Sequence, residues 1–263
     1  MAKQALHQVA IIGSGQVATC LAQALHAKGF CIDTVYSRNL NNAQALANKF
    51  AGVKAISNLQ QLNTQLNLYV IAVSDDAIAE VASHLKVNGL VVHTSGSVSI
   101  TSLNNQLRFG VFYPLQTITK NTSPDFTQVP ILIEANTHAD ELLLAQLADI
   151  ISTRVLLANS QQRQSLHLAA VFANNFTNHI MGIAKHILQQ SNLPDDLLNP
   201  LILQTAQNAI NNNPFDVQTG PVMRNDLETI NTHLNLLQQF PQYRQVYELL
   251  SGSIGVLKQQ KKV

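Results

Sequence analysis

The sequence has few cysteines, few charges and no long apolar run, and each shortage excludes a class of protein. The two cysteines, Cys20 and Cys31, lack the spacing of metal ligands, so we expect reduced core thiols and no metal site. No apolar run approaches the roughly 18 residues of a membrane-spanning helix, and the first residues lack the apolar core of a signal peptide. We therefore expect a cytoplasmic protein without membrane contact.

Charge is scarce and nearly balanced. Only 12% of the 263 residues are charged, the formal net charge is +1, and one lysine cluster, Lys258, Lys261 and Lys262, lies near the C-terminus. Without a basic stripe, nucleic acid is not an expected partner. A hydrophobic content of 46% predicts a globular protein, and the length allows one large domain or two ordinary ones.

A glycine turn follows the first apolar run. Residues 9–12 fit a buried strand, Gly13-Ser14-Gly15-Gln16-Val17-Ala18 forms a G-x-G-x-x-A turn, and apolar residues then recur at helical spacing. This order is typical of a dinucleotide site, in which Gly13 permits the tight turn and Gly15 lets a pyrophosphate approach the backbone. The helix start then supplies free N–H groups. The alternative is a glycine turn that only connects a strand to a helix.

The second predicted strand, residues 31–36, is not followed by an acidic residue. NAD sites usually place Asp or Glu about 20 residues beyond the glycines, bonded to the ribose 2′-OH. Here Ser37, Arg38 and Asn39 stand instead. A hydroxyl and a guanidinium suit a 2′-phosphate, so the sequence favours NADP(H) over NAD. The alternative is a solvated arginine in a loop.

Strands and helices alternate up to about residue 158, and only helices follow. The alternation predicts an α/β fold with a parallel Rossmann sheet, which binds ligands at the carboxyl ends of its strands. Residues 1–158 are therefore assigned to an NADP-binding Rossmann domain and residues 159–263 to an all-helical substrate and dimerisation domain. Residues expected at the strand ends are Val73-Ser74 and Thr94 for the cofactor, Ser95 for catalysis and Gln116 for the substrate.

A long helix is predicted over residues 161–190, and it carries a polar stripe. At about 100° per residue, His167, Asn174 and Asn178 fall within about 20° of one line. Facing the nicotinamide end of the cleft, His167 and Asn174 would contact substrate, and His167 could donate a proton. The alternative is a structural histidine and amides in a helix or subunit interface. Apolar residues cover most of the remaining circumference, which predicts a homodimer through this domain.

A dense polar cluster in the C-terminal half runs from Thr219 to Asp226. Pro221 can start a helix there, and Thr219 can cap it. Arg224 could then clamp a substrate carboxylate with two hydrogen bonds, with Thr219 and Asp226 as further substrate contacts. The alternative is a capped helix start with a surface ion pair.

Several short motifs together resemble one family. They are GSGQVA from Gly13, AVSDDAI from Ala72, HTSGS from His93, YPLQT from Tyr113, HLAAVFANN from His167 and TGPVMRND from Thr219. The chain resembles Rossmann-like NADP oxidoreductases with a C-terminal helical domain of unknown function. These are similar to pyrroline-5-carboxylate reductase and, more distantly, to ketopantoate reductase and the 3-hydroxyacid dehydrogenases. The resemblance implies a C-terminal domain of the 6-phosphogluconate-dehydrogenase type, often dimeric, but no particular reaction.

The sequence departs from the related enzymes at two positions. Ketopantoate reductase and the 3-hydroxyacid dehydrogenases carry a lysine four residues before a helical asparagine, whereas Ala170 stands four residues before Asn174. Their alcohol–ketone mechanism is therefore not implied here. The family pattern around YPLQT has a histidine before the proline, where this chain has Tyr113, whose phenol can donate a hydrogen bond.

These features predict an NADP(H)-dependent oxidoreductase that acts on a small, carboxylate-bearing substrate. Hydride would pass between the nicotinamide and a C=O or C=N carbon. Ser95, His167 and Asn174 would hold or protonate the heteroatom, and Arg224 would anchor the acid. Imine reduction of the pyrroline-5-carboxylate reductase type fits the missing lysine. The alternative is a protein that binds NADP as a sensor or scaffold without turnover.

Overall fold

A computed structural model describes residues 6–119 and 124–260 of the chain. The first five residues lie outside the described residues, as do Lys261 and Lys262 of the lysine cluster near the C-terminus. The chain divides into two compact units, and the division falls between Asn174 and Asn175. The last strand ends at Leu157, so the first unit also contains the helix that follows the predicted boundary at residue 158.

The first unit is built on an eight-stranded sheet. Its strands in chain order are β1 (Gln8–Ile12), β2 (Cys31–Tyr36), β3 (Lys54–Ile56), β4 (Leu68–Ile71), β5 (Leu90–His93), β6 (Phe109–Pro114), β7 (Ile131–Ala135) and β8 (Val155–Leu157). Across the sheet the order is β3-β2-β1-β4-β5-β6-β7-β8. The order reverses between β1 and β4, and open α/β sheets form their ligand crevice at such a reversal.

Most of the sheet is parallel, which confirms the predicted Rossmann architecture, but one pair departs from it. Strands β1 to β6 pair in parallel, whereas β7 pairs antiparallel to β6. The described part of the β6–β7 connection holds only a short 3₁₀ helix, Phe126–Gln128. Since a parallel pairing needs a longer crossover, usually helical, β7 runs in the opposite direction.

Among the described residues, five α-helices belong to the first unit, which is packed on both faces of the sheet. They are α1 (Gln16–Ala27), α2 (Leu40–Ala47), α3 (Ile78–His84), α4 (His138–Ile151) and α5 (Ser160–Ala170). Val9 and Ile11 of β1 enter one core cluster, and Ala10 and Ile12 enter the other. Because successive strand residues point to opposite faces, this split buries the sheet on both sides.

The two cysteines have different environments. Cys20 is buried on α1, as expected, whereas Cys31 is exposed. Cys31 is the first residue of β2, and the sheet's amino edge meets solvent there. The prediction of two core thiols was therefore wrong for Cys31.

The predicted long helix is interrupted. After α5, residues Val171–Phe176 form a π-helical turn, and α6 (Thr177–Gln190) follows. The π turn changes the rotation per residue, so the uniform spacing assumed for the polar stripe does not hold along the whole stretch. The remaining helices are α7 (Asn199–Asn211), α8 (Pro221–Arg224), α9 (Leu227–Leu236) and α10 (Pro241–Gln260). Pro200 lies in the first turn of α7, where proline is tolerated.

The second unit, described by itself, buries little. Among its described residues only Leu237 is buried, and helices α6 to α9 contain no buried residue. Large apolar side chains are exposed on α7, with Leu203 at 60% and Ile210 at 83%. Across the described part of the chain, none of the helices combines the length and apolarity needed to cross a bilayer.

A fully buried arginine attaches α5 to the sheet. The Arg163 side chain is 0% exposed, and its Nε donates to the Ser95 carbonyl at 3.2 Å. One terminal nitrogen donates to the Val98 carbonyl at 2.6 Å, and the other pairs with the Glu134 carboxylate of β7 at 2.5 Å. Ser160 Oγ also donates to that carboxylate at 2.9 Å. The hydrogen bonds to two carbonyls and the ion pair with Glu134 together offset the cost of burying the guanidinium.

Removing this arginine should destabilise the protein strongly. Arg163→Met leaves the Glu134 carboxylate without its cationic partner and two carbonyls without a donor, so we expect the free energy of unfolding to fall by about 3–5 kcal/mol. Urea denaturation followed by circular dichroism measures this change.

The matched control is Arg244→Met. Arg244 pairs with Glu248 one helical turn away, and both side chains are more than 40% exposed, so the expected loss is about 0–1 kcal/mol. Equal losses in the two variants would contradict the assignment of Arg163 as the buried connection.

Candidate functional site

A cavity of about 1220 Å³ opens at the carboxyl ends of β1, β2, β4 and β5. The eleven residues predicted to bind the cofactor all line it: Gly13, Ser14, Gly15, Gln16, Val17, Ser37, Arg38, Asn39, Val73, Ser74 and Thr94. Ser95, predicted as catalytic, also lines it. The structure thus brings these residues to one place, and their contacts with a cofactor stay a prediction.

The two glycines of the turn have different physical roles. Gly13 has a φ of +127°, and a Cβ there would lie 2.1 Å from the Ala72 carbonyl oxygen, so no other residue fits. At Gly15 a Cβ would meet nothing within 4 Å. Gly15 is also the N-cap of α1, which has no side-chain cap and no acidic residue in its first turn. A helix start of this kind presents backbone N–H groups to an anion.

The segment after β2 has the donors that a phosphate requires. Ser14 Oγ donates to Ser37 Oγ at 2.9 Å, which leaves the Ser37 hydroxyl free to donate its own proton. Arg38 is exposed and forms no ion pair within 4.0 Å among the described residues. The Asn39 side chain accepts from the Asn41 N–H at 2.9 Å and so caps α2. The loop is therefore held in place while its cation remains available.

Ser95 stabilises the turn after β5. Its Oγ accepts from the N–H groups of Ser97 and Val98, both at 3.1 Å, and its carbonyl receives Arg163. Only 7% of Ser95 is exposed. The hydroxyl predicted to contact the reacting heteroatom thus also holds the local backbone together, a role that sequence reasoning did not anticipate.

His93, the last residue of β5, is a neutral hydrogen-bond acceptor. It is fully buried, and its Nδ1 accepts from the Ser95 N–H at 3.2 Å. Burial, and then the nearby charge of Arg163, lower its pKa to about 4. Nε2 makes no hydrogen bond of standard geometry with any residue the structure describes. His93 therefore fixes the turn without carrying a charge at neutral pH.

His167 lies beside this turn, although it is outside the cavity lining. Its Nδ1 is 3.5 Å from Tyr113 Oη, at the end of β6. Both side chains pack against Gly96, where a Cβ would lie 2.7 Å from Tyr113 Cζ and 2.9 Å from His167 Nδ1. The structure thus brings His167 to the carboxyl ends of β5 and β6, the edge where the prediction placed it.

The other predicted substrate residues are not brought into the cavity lining. Asn174 and Gln116 are exposed, and Gln116 Oε1 accepts from the Thr117 N–H at 2.9 Å. In the second unit, Arg224 is 65% exposed and pairs loosely with Asp226 at 3.9 Å.

Thr219 does not cap the helix at Pro221, which corrects the prediction. The N-cap is Gly220, whose φ of +115° suits glycine, and it provides no side-chain cap. Asp226 instead caps α9 by accepting from the Thr229 N–H at 3.1 Å and from the Thr229 hydroxyl at 2.8 Å. Those hydrogen bonds lower the pKa of Asp226. The exposed pair of Arg224 and Asp226 matches the alternative named above, a surface ion pair. A substrate contact by Arg224 stays a prediction.

Sequence reasoning missed Arg163, Glu134 and the packing on Gly96. One signal was available for the arginine. Arg163 precedes His167 by four residues, so both lie on one helix face, in a chain where charge is scarce. Glu134 had no comparable signal because its partner lies 29 residues away.

Two family models match the chain, one in each half. The model of the shikimate/quinate 5-dehydrogenase family matches residues 1–90, and that of a domain of unknown function, DUF2520, matches residues 129–254. No curated protein matches the chain.

Solved structures extend the comparison over nearly the whole chain. A putative NADP oxidoreductase from Bacteroides fragilis is 40% identical, with a TM-score of 0.88 over 95% of this chain and 98% of that one. The 1-pyrroline-5-carboxylate reductase of Streptococcus pyogenes is 12% identical, with a TM-score of 0.63 over 95% and 98%. A reductive aminase from Aspergillus terreus, solved with NADPH and ethyl levulinate, is 15% identical, with a TM-score of 0.66 over 97% and 94%.

The two structures of low sequence identity show only a shared fold. The relative from Bacteroides fragilis is similar enough in sequence to show the family. Its 40% identity is spread over an alignment that covers 95% of this chain and 98% of that one. The chain therefore belongs to the family of Rossmann-like NADP oxidoreductases with a C-terminal domain of unknown function, as the motif resemblance predicted.

Proposed function

We propose that this protein is an NADP(H)-dependent oxidoreductase that transfers a hydride to or from a C=O or C=N carbon of a small, carboxylate-bearing substrate. The observation that carries the proposal is the cavity at the sheet reversal, which is lined both by the start of α1, without a side-chain cap, and by Ser37 and Arg38. The Bacteroides fragilis relative is described as a putative NADP oxidoreductase, and the Aspergillus terreus reductive aminase was solved with NADPH.

The residues present fit NADP(H). The pyrophosphate is assigned to the open backbone at Gly15 and the start of α1, and the 2′-phosphate to Ser37 and Arg38. The nicotinamide half then extends along the ends of β4 and β5, over Ser74 and Thr94. When bound, NADPH supplies the hydride. The protein orients the acceptor carbon and transfers a proton to or from the heteroatom.

For the substrate, the candidates are Ser95, His167 and Asn174 around the reacting heteroatom and Arg224 for the carboxylate, with Gln116, Thr219 and Asp226 as further substrate contacts. Arg224 is mostly exposed, so its guanidinium can form two parallel hydrogen bonds with an acid. Ala170 stands where the related dehydrogenases carry lysine. Reduction of a C=N bond is favoured for that reason, because an imine nitrogen is more basic than a carbonyl oxygen and needs no strong acid as its proton donor.

Turnover decides between this function and a sensor that binds NADP without reaction. We expect loss of reduced-nicotinamide absorbance when the protein is mixed with NADPH and a panel of 2-oxo acids, alone and with ammonium, and of cyclic imino acids. Tight NADPH binding with no oxidation by any member of the panel would favour the sensor.

Cofactor choice should depend on Arg38. A hydrogen bond to a charged group contributes about 1.5–3 kcal/mol, so Arg38→Ala should weaken NADPH binding about 10- to 100-fold and leave NADH binding nearly unchanged. Titration followed by nicotinamide fluorescence measures both, and the absence of tryptophan keeps the protein background low. Equal losses for the two cofactors, or tighter binding of NADH to the unmodified protein, would refute the 2′-phosphate assignment.

We further propose that the protein is a homodimer assembled through its second unit. The described residues of that unit bury only Leu237, while several leucines and isoleucines on its helices are exposed. Burying apolar area contributes about 25 cal/mol per Å², so pairing with a second copy would stabilise these helices. The partner is a second copy of this chain because the resemblance implies a dimer-forming C-terminal domain.

Light scattering at micromolar concentration should give about twice the chain mass of 28.7 kDa. Replacing Leu203 and Ile210 together by lysine should lower that mass, because both are exposed on α7 and seven residues apart, on one face. Leu107→Lys is the control, since Leu107 is 78% exposed in the first unit and should not affect assembly. A monomeric unmodified protein would contradict the dimer.

A further inference from the structure

A phenol and an imidazole meet beside the cavity. Tyr113 Oη and His167 Nδ1 are 3.5 Å apart, and the two ring centroids are 6.5 Å apart with the planes at 66°. That is the long limit of a hydrogen bond. Catalytic hydrogen bonds are often long in unliganded proteins and shorten when a substrate closes the site.

Gly96 makes this approach possible. A Cβ at this position would lie 2.7 Å from Tyr113 Cζ, 2.9 Å from Tyr113 Oη and 2.9 Å from His167 Nδ1. The backbone of Gly96 is not in the left-handed region, so the packing of the two rings, and not the turn, requires glycine here. Gly96 directly follows Ser95, which lines the cavity. The pair therefore lies next to the cavity lining.

The surroundings keep the phenol protonated. Burial, and then the negative charge of Asp75, raise the pKa of Tyr113, while Arg163 acts in the opposite direction. Asp75 lines the cavity and is itself held by a hydrogen bond from Ser97 Oγ. Tyr113 is thus a proton donor, and not a phenolate, at neutral pH.

The topology places this phenol at the reacting end of the cofactor. The 2′-phosphate is assigned next to β2 and the pyrophosphate next to β1, so the nicotinamide lies toward β4 and β5. Tyr113 belongs to β6, which pairs with β5. Its hydroxyl is the next donor along the sheet edge after the Thr94–Ser95 turn.

We propose that Tyr113 is the catalytic residue that protonates the substrate heteroatom, and that His167 resupplies its proton. The inference rests on the proposed oxidoreductase function. As the acceptor carbon gains the hydride, the C=O or C=N π electrons move to the heteroatom, which takes the proton of Tyr113 Oη. His167 then passes the proton on its Nδ1 to the phenolate and takes up another from solvent. This pair replaces the lysine that the related dehydrogenases carry.

An experiment that needs no substrate tests where Tyr113 lies. Tyrosine labelled with ¹³C at Cζ gives five resonances, and Tyr113 is assigned by its loss in Tyr113→Phe. Its resonance should differ between the NADPH and NADP⁺ complexes, because the two nicotinamide rings differ in charge and aromaticity. Tyr69, buried and donating to the Asn63 carbonyl at 2.7 Å, should give the same shift in both.

A second measurement tests the link to His167. In spectra of ¹⁵N-labelled histidine rings, Tyr113→Phe should shift His167. The matched control is Tyr243→Phe, which removes a phenol 2.9 Å from His186 Nδ1 in the second unit and should shift His186 alone. An unchanged His167 resonance in Tyr113→Phe would overturn its role as the proton source.

The outcomes separate this proposal from the function on which it rests. If neither NADPH nor NADP⁺ binds, the oxidoreductase assignment fails. If both bind and the Tyr113 resonance is the same in the two complexes, the donor assignment fails and the oxidoreductase assignment stands. With any substrate from the panel, Tyr113→Phe should lower kcat about 100-fold or more and leave the Kd of NADPH within about twofold. A kcat close to that of the unmodified protein would overturn the proposal.

Discussion

The buried guanidinium of Arg163 is the interaction on which the candidate site depends. It bonds to the carbonyls of Ser95 and Val98 and to the Glu134 carboxylate, and so joins the turn after β5, strand β7 and helix α5. The same turn lines the cavity, and the same helix carries His167. A charge buried in this way tolerates little displacement, because every lost hydrogen bond leaves a desolvated group without a partner. The site is therefore preorganised by a residue that does not line it.

The site differs in charge between its two ends. Near β2, Arg38 is an exposed cation beside a free hydroxyl, which suits a phosphate. Near β5 and β6, burial keeps His93 uncharged and Tyr113 protonated. An anionic ligand group is thus attracted to the Arg38 end, while the other end holds a neutral imidazole and a protonated phenol beside the Asp75 carboxylate.

The features predicted from the sequence are those that local rules determine. The glycine turn, its strand and its helix are encoded within about 20 consecutive residues. The absence of an acidic residue can likewise be read from the sequence directly after the next strand, β2. The structure depends elsewhere on contacts between distant residues. Arg163 meets partners 68, 65 and 29 residues away, and the direction of β7 depends on a connection without a crossover helix in its described part. The contact of Tyr113 with His167, 54 residues apart, belongs to the same class. No periodicity or motif spacing encodes such pairings.

A crystal structure of the NADPH complex would decide whether the cavity at the sheet reversal binds the cofactor as we propose, through the start of α1 and the Ser37–Arg38 pair. We expect the pyrophosphate on the N–H groups at Gly15 and the first turn of α1, and the 2′-phosphate on Arg38. The nicotinamide should lie over the Thr94–Ser95 turn. A dinucleotide bound elsewhere, or a 2′-phosphate that does not contact Arg38, would show that the proposed binding mode is wrong.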